Sequence, residues 1–169
     1  MKRIAMLMIL ILLTALPAFA AELKVGYVDL QKALNLSKAG EQAKEKIAVQ
    51  VKGYETELDA RQEELKKLKD DLEKQALLLS ADALSSKERD YQQRLKEFQR
   101  YTKDIQEELQ QQDADFTRAI IEEIGKVIAE VGKKEGFTMI FEQSESAVLY
   151  ADDKVDLTQM IIDAYDATH

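Results

Sequence analysis

The sequence has almost no cysteine or histidine, two residue types on which many catalytic and metal sites depend. It contains no cysteine, and its one histidine is the last residue, His169. Because chain ends are usually poorly ordered, a histidine-based catalytic triad and a Cys/His zinc site are both excluded. No glycine-rich phosphate loop is present, and no pair of carboxylates stands out from the charged background. We therefore expect no catalytic residue, no metal and no cofactor.

Proline is also nearly missing, and the charge is mostly of one sign. Pro17 is the only proline, so the chain after it can form very long uninterrupted helices. Acidic residues exceed basic ones by 32 to 24, which gives a net charge of −8. A surface this acidic repels phosphate backbones, so nucleic acid is not an expected partner.

Residues 1–20 have the features of a cleavable signal peptide. Lys2 and Arg3 precede an apolar run from Ile4 to Leu16, and Ala18-Phe19-Ala20 fits a small-x-small cleavage site. The run is shorter than the roughly 20 residues that a membrane-spanning helix needs. We therefore expect export, followed by cleavage that leaves residues 21–169 as a single domain with a net charge of −10, because two cations are lost.

Heptad spacing dominates the middle of the chain and predicts a coiled coil. Steps that alternate between four and three residues connect a first seam: Ile47, Val51, Tyr54, Leu58, Arg61, Leu65, Leu68, Leu72, Gln75 and Leu79. A second seam follows the same rule: Tyr91, Leu95, Phe98, Thr102, Ile105, Leu109, Gln112 and Phe116. An extra four-residue step to Ile120 is a stutter, where we expect the coiled coil to become packed domain.

The short interruption at residues 80–86 predicts a turn between two antiparallel helices. Ser85 and Glu88 fit a capping box, so a second helix is expected to begin there. The alternative is one continuous helix that dimerises in parallel; the serines and the similar lengths of the two seams argue against it. Gly125 is interpreted as a site of close helix packing or as a tolerated defect in the helix, whereas Gly53 could equally be one of these or a flexible point.

The two ends of the chain predict a small β body. Alternation around Val25 and Tyr27 suggests a strand, and Phe137–Phe141 suggests another. A polar turn and residues 147–150 would complete a hairpin, and a helix is expected to start near Asp156. So small a core is marginal alone, and open strand edges favour closed oligomerisation. The predicted oligomer core residues are Val25, Tyr27, Ile140 and Leu149.

The order of these features resembles the OmpH-like periplasmic chaperones, the Skp family. The residues that carry the resemblance are Val25-Gly26-Tyr27-Val28-Asp29, Ser37-Lys38-Ala39-Gly40, Gly136-Phe137-Thr138-Met139-Ile140-Phe141 and Val155-Asp156-Leu157-Thr158. The resemblance implies an α+β, mostly α fold: a long antiparallel coiled-coil helical hairpin (37–135) that projects from a small β body (21–36 and 136–169) completed by oligomerisation. It also implies a homotrimer in the periplasm that holds unfolded outer-membrane proteins between its arms without ATP.

Two features limit how far the resemblance is carried. Family members are often basic, whereas residues 37–135 here hold 19 Lys and Arg against 23 Asp and Glu. This acidity argues against lipopolysaccharide or membrane contact. The alternative function is a structural coiled-coil spacer or adaptor of the cell envelope, which a uniformly polar arm with one apolar end would favour.

Four residues outside the seams are candidate client contacts. Leu77 and Leu78 either fold over the tip of the hairpin and cap it, which we favour, or form an exposed apolar tip together with Leu84. Tyr101 lies one position away from the second seam and is expected to be exposed, as a scattered surface aromatic or as a client contact.

Overall fold

The computed structural model describes residues 23–144, 146 and 148–168, so the expected signal peptide lies outside the described residues. The elements follow in the order β1 (Val25–Val28), α1 (Leu30–Leu36), α2 (Lys38–Gln75), α3 (Ala81–Glu135), β2 (Met139–Glu142), a 3₁₀ turn (Asp153–Val155) and α4 (Thr158–Thr168). Among these helices, none combines the length and the apolar character needed to cross a membrane.

Helices α2 and α3 form the expected antiparallel hairpin, here called the arm. With 38 residues, α2 is about 57 Å long at 1.5 Å per residue. The serine Ser37 caps its start by accepting a hydrogen bond from the backbone N–H of Gly40. At the C-terminal end of α3, Gly136 has φ of 72° and provides the predicted left-handed cap.

The start of α3 was placed too late by the capping-box pattern. Ser80 is the N-cap, since its Oγ accepts a hydrogen bond from the N–H of Ala83, and Ser85 lies inside the helix. Residues 81–83 add two alanines and the acidic Asp82 to the first turn. Alanine favours helix, and a carboxylate is favourable beside a helix N-terminus. The tip is therefore a shorter turn, at residues 76–80.

The heptad seams determine which side of each arm helix is covered. Every apolar seam residue from Ile47 to Leu109 is half-buried or buried, and most of the residues between them are exposed. Ile105 is the one that is fully buried. Because each helix contributes a single line of seam residues, the distal arm has a narrow, mostly apolar contact between its helices and no three-dimensional core.

The hydrophobic core lies at the base of the arm, beginning at the predicted stutter. Ile120, Ile124 and Val127 of α3 are buried there against residues of both chain ends. The other buried members of this cluster are Val28, Ala33, Leu34, Ala43, Leu157, Ile161, Ile162 and Tyr165. The change from a two-helix arm to a packed body thus occurs where the seam changes its period.

Strands β1 and β2 pair in parallel, and they bring together segments from the two sides of the arm. Gly26 is paired with Ile140, and Tyr27 with Phe141. Gly26 and Val28 face the core, whereas Val25 and Tyr27 are only half-buried. The predicted strand is confirmed, and its inner side is that of Gly26 and Val28, because Leu157 packs where a side chain at position 26 would lie.

The predicted hairpin after β2 is not formed in this chain. Residues 148–150 belong to no strand, and Leu149 is fully exposed; Glu145 and Ala147, which were part of that prediction, lie outside the described residues. In the described part of the chain the sheet has two strands. An apolar segment that finds no strand partner in its own chain stays in solvent.

Two short helices close the body over the core. Asp29 caps α1, which the sequence analysis missed, by accepting a hydrogen bond from the N–H of Lys32. The backbone N–H of Asp29 in turn donates to Oγ1 of Thr158 at the start of α4. The helix start expected near Asp156 is confirmed, since its carboxylate accepts a hydrogen bond from the N–H of Thr158.

Candidate binding surfaces

The tip of the arm presents two leucines to solvent. Leu77 is 98% exposed and Leu78 is 84% exposed. Their neighbour Leu79 is half-buried, as expected for a seam residue, and so is Leu84, which was predicted to form an exposed tip with them. The prediction that Leu77 and Leu78 cap the tip is wrong, since side chains that cover the turn would not be this exposed. Whether the exposed pair binds a partner stays a prediction.

Tyr101, expected to be exposed, is half-buried in a cluster that links the two arm helices. Its hydroxyl donates a hydrogen bond to the carboxylate of Glu57, and the Arg61 guanidinium lies 4.2 Å from the centre of its ring. Arg61 also forms an ion pair with Glu57, at 2.6 Å. The prediction of a free surface aromatic fails because a tyrosine beside the seam can reach an acceptor on the facing helix.

The same cluster shifts the pKa values of its members. The hydrogen bond from Tyr101, and then the one from Arg61, lowers the pKa of Glu57. The hydrogen bond to Glu57 raises the pKa of Tyr101, so its hydroxyl keeps its proton and acts as a donor at neutral pH.

The remaining exterior of the arm is polar. Among the described residues of α2, α3 and the turn between them, the large apolar side chains that are well exposed are Val49, Leu77 and Leu78. Exposed residues between the seams carry many ion pairs within one helix, such as Lys103 with Glu107. Such exposed pairs contribute little to stability, so their main effect is a solvated surface.

The body presents a second apolar surface, the open face of the sheet. Met139 and Phe141 are 45% and 41% exposed and lie beside Val25 and Tyr27 in the parallel register. Desolvation, followed by the charges of Asp156 and Asp153, raises the pKa of Tyr27. We call these four residues the open sheet face; segment 148–150, which belongs to no strand, is also exposed.

The four predicted oligomer core residues do not lie together. Val25 and Tyr27 are on the open sheet face and Leu149 is in the exposed segment, but Ile140 points the other way and packs against the core of its own chain. Its Cδ1 would lie 3.3 Å from a Cβ at Gly132. Sequence alternation alone could not separate these roles, because the inner face depends on which elements dock on the sheet.

The two helix glycines of the arm and its base have open surroundings. A Cβ added at Gly53 or at Gly125 would meet nothing within 4 Å. Close packing at Gly125 is therefore wrong, whereas a tolerated defect in the helix agrees with its open surroundings; Gly53 has no packing role either. Within the described residues, no group of His, Cys, Asp and Glu could hold a metal ion.

The comparisons with known proteins agree on one family. Residues 24–165 match the family described as outer membrane protein (OmpH-like). A Skp-like protein of Pseudomonas aeruginosa is 26% identical over 153 residues, which cover 88% of each chain. The crystal structure of an OmpH-like outer membrane chaperone from Caulobacter crescentus CB15 has a TM-score of 0.81 at 19% identity, over 88% of this chain and 87% of that one.

These findings agree with what the residues show. The match spans the arm and both halves of the body, and the shared fold is a long helical hairpin on a small two-stranded sheet. The chain therefore belongs to the OmpH-like family, whose members are chaperones and not enzymes.

Proposed function

We propose that this protein is an ATP-independent holdase of the periplasm that binds unfolded outer-membrane proteins between helical arms and prevents their aggregation. The observation that carries the proposal is a free-standing arm about 57 Å long, attached to a body whose sheet leaves one apolar face open. An arm of this kind can surround another chain, and the open face can join several arms.

The open sheet face supports assembly into a trimer. It contains two half-exposed apolar residues of β2, and the fully exposed Leu149 adds apolar surface to the same small body. Apolar surface of this kind is stabilised when it is covered, and a second copy presents the same apolar face. Three arms around a common body would enclose a space in which one unfolded chain is kept apart from others.

Weak and repeated contacts suit the binding of unfolded β-barrel chains. Several arms that each bind weakly give avidity without a specific pocket. The arm offers exposed leucines at its tip and a polar exterior elsewhere, so a client would meet few sites to which it could adhere irreversibly. Release then needs no nucleotide, because each single contact is weak.

One observation favours the second candidate, a spacer or adaptor of the envelope. The arm exterior is polar along most of its length and ends in Leu77 and Leu78, which is the pattern expected of a rod with one adhesive end. Such a rod would bind a folded envelope component through its tip. Such a rod is not expected to keep unfolded chains soluble.

Dilution of a urea-unfolded outer-membrane β-barrel protein distinguishes the two candidates. The purified mature protein is present during dilution, and light scattering reports aggregation. A holdase should suppress scattering at stoichiometric amounts without ATP, whereas an unrelated acidic protein of similar size should not. Scattering equal to that of the control would contradict the holdase proposal and leave the spacer as the better one.

A further inference from the structure

The middle of the arm contains a polar layer in a mostly apolar seam. Both helices place a polar residue there, Arg61 in α2 and Thr102 in α3. The hydroxyl of Thr102 donates to the carbonyl oxygen of Phe98 in its own helix, at 3.0 Å. Arg61 turns aside to stack on Tyr101 and to pair with Glu57. The seam therefore loses apolar contact here and gains directional contacts.

Directional contacts between the helices recur along the arm with the heptad period. The hydroxyl of Tyr54 donates to Glu108 at 2.9 Å. Seven residues further along α2 and seven back along α3, Arg61 meets Tyr101. Two heptads beyond, Nζ of Lys87 donates to Oε1 of Gln75 at 3.0 Å. We call these three pairs, with Glu57 included in the second, the rungs.

The rungs occupy one of the two alternating sets of seam positions in α2. That set is Ile47, Tyr54, Arg61, Leu68 and Gln75, whereas the other set, Val51, Leu58, Leu65, Leu72 and Leu79, is entirely aliphatic. Aliphatic contacts are not directional, and a heptad seam presents nearly the same surface after a slip. Hydrogen bonds and stacked guanidinium groups are lost when the atoms move by a few ångströms.

We propose that the rungs fix the axial register of the two arm helices, and that Glu57, Arg61 and Tyr101 are the main positioning residues of the arm. The aliphatic residues of the second set hold the helices together, and the rungs set their axial register. The tip turn lies directly beyond the rung of Gln75 and Lys87, so the register also sets how Leu77 and Leu78 are presented. This role is independent of what the arm binds.

Disulfide trapping measures the register directly, since the chain has no cysteine of its own. Leu68 and Arg94 occupy the one heptad step between the rungs that has no directional pair, so Leu68→Cys with Arg94→Cys tests the native register. Leu68→Cys with Glu97→Cys tests a register shifted by three residues, or about 4.5 Å. Because disulfides tolerate little displacement, the native pair should form at least about ten times faster than the shifted pair.

Two of the hydrogen bonds in the rungs are then removed with little change in side-chain shape. Tyr54→Phe with Tyr101→Phe deletes two cross-helix hydrogen bonds. The matched control is Tyr91→Phe with Tyr150→Phe, whose hydroxyls make no hydrogen bond among the described residues. We expect the preference for the native pair to fall by more than about threefold in the test variant, and to stay unchanged in the control. An equal preference in both would overturn the proposal.

A second variant separates register from stability. Arg61→Leu with Thr102→Leu makes the polar layer apolar, which should raise the melting temperature because apolar burial is stabilising. The preference for the native pair should nevertheless fall, since the central rung loses the Arg61–Tyr101 stacking and the Arg61–Glu57 ion pair and keeps only the hydrogen bond from Tyr101 to Glu57. A more stable arm that keeps the full preference would show that the leucines set the register, and would overturn the proposal independently of the tyrosine variants.

Discussion

Gly40 is a residue whose type is fixed by a neighbouring backbone atom. A Cβ at this position would lie 1.7 Å from the carbonyl oxygen of Leu34 and 2.9 Å from its carbon. Backbone atoms cannot move aside as the end of a side chain can. The break between α1 and α2 at Ser37 therefore depends on Gly40. The sequence analysis used Ser37-Lys38-Ala39-Gly40 only as part of the family resemblance.

Replacement of Gly40 by alanine should destabilise the protein by about 3 kcal/mol or more, as expected when a packed site is overfilled by backbone contact. Gly53→Ala is the matched control, because its Cβ would meet nothing within 4 Å; alanine should stabilise that helix by about 0.5–1 kcal/mol. Urea unfolding followed by circular dichroism at one protein concentration measures both. Similar effects at the two positions would contradict the steric argument.

Glu57 makes the stability of the mid-arm depend on acid. Its pKa is lowered in the folded arm, mainly by the hydrogen bond from Tyr101 and next by Arg61. A lowered pKa stabilises the fold above the unfolded value, and this contribution is lost as the pH falls through the folded value. Acidification from pH 7 to about pH 3 should therefore destabilise the wild type more than Tyr101→Phe, in which the largest cause is absent. Equal losses of unfolding free energy in the two proteins would refute this role of Tyr101.

At the scale of elements, the tip turn separates a structural leucine from two exposed ones. Leu77→Ser with Leu78→Ser should change the unfolding free energy by less than about 0.5 kcal/mol, because both side chains are already in solvent. Leu79→Ser, at a half-buried seam position, should lower the melting temperature. If the exposed pair binds clients, the double variant should also suppress aggregation less well at equal concentration. A clear drop in its melting temperature would instead restore the capping interpretation.

The elements also show how far the sequence alone could lead. Heptad spacing placed Leu58, Leu65 and Ile105 correctly, because the buried side of each helix in a coiled coil follows from the spacing of apolar residues within that helix. The side of β1 that faces the core could not be predicted from its alternation, because that side is set by Leu157, more than a hundred residues away in the chain. Tyr101 was misjudged for a similar reason, since its partner Glu57 lies on the facing helix.

At the scale of the whole molecule, the open sheet face predicts how assembly can be broken without unfolding the chain. Ile140 is a poor test, because it packs against its own core. Phe141→Asp places a charge on the exposed side of β2 instead, where it is costly only if a partner covers it. We expect a helical monomer in sedimentation experiments and an oligomer for the wild type. A mutant oligomer of unchanged size would exclude this face as the interface.

The parallel pairing of β1 with β2 has a consequence for the order in which the molecule folds. Val25 pairs with Met139, and the whole arm lies between them in the chain. Closing so long a loop is slow, and the first strand is made long before the second. The two long helices of a growing chain can therefore pair before β2 is available to β1, and the body is completed last. A chain interrupted anywhere in the arm would lack β2 and α4, so it could not form the open sheet face that we propose for assembly.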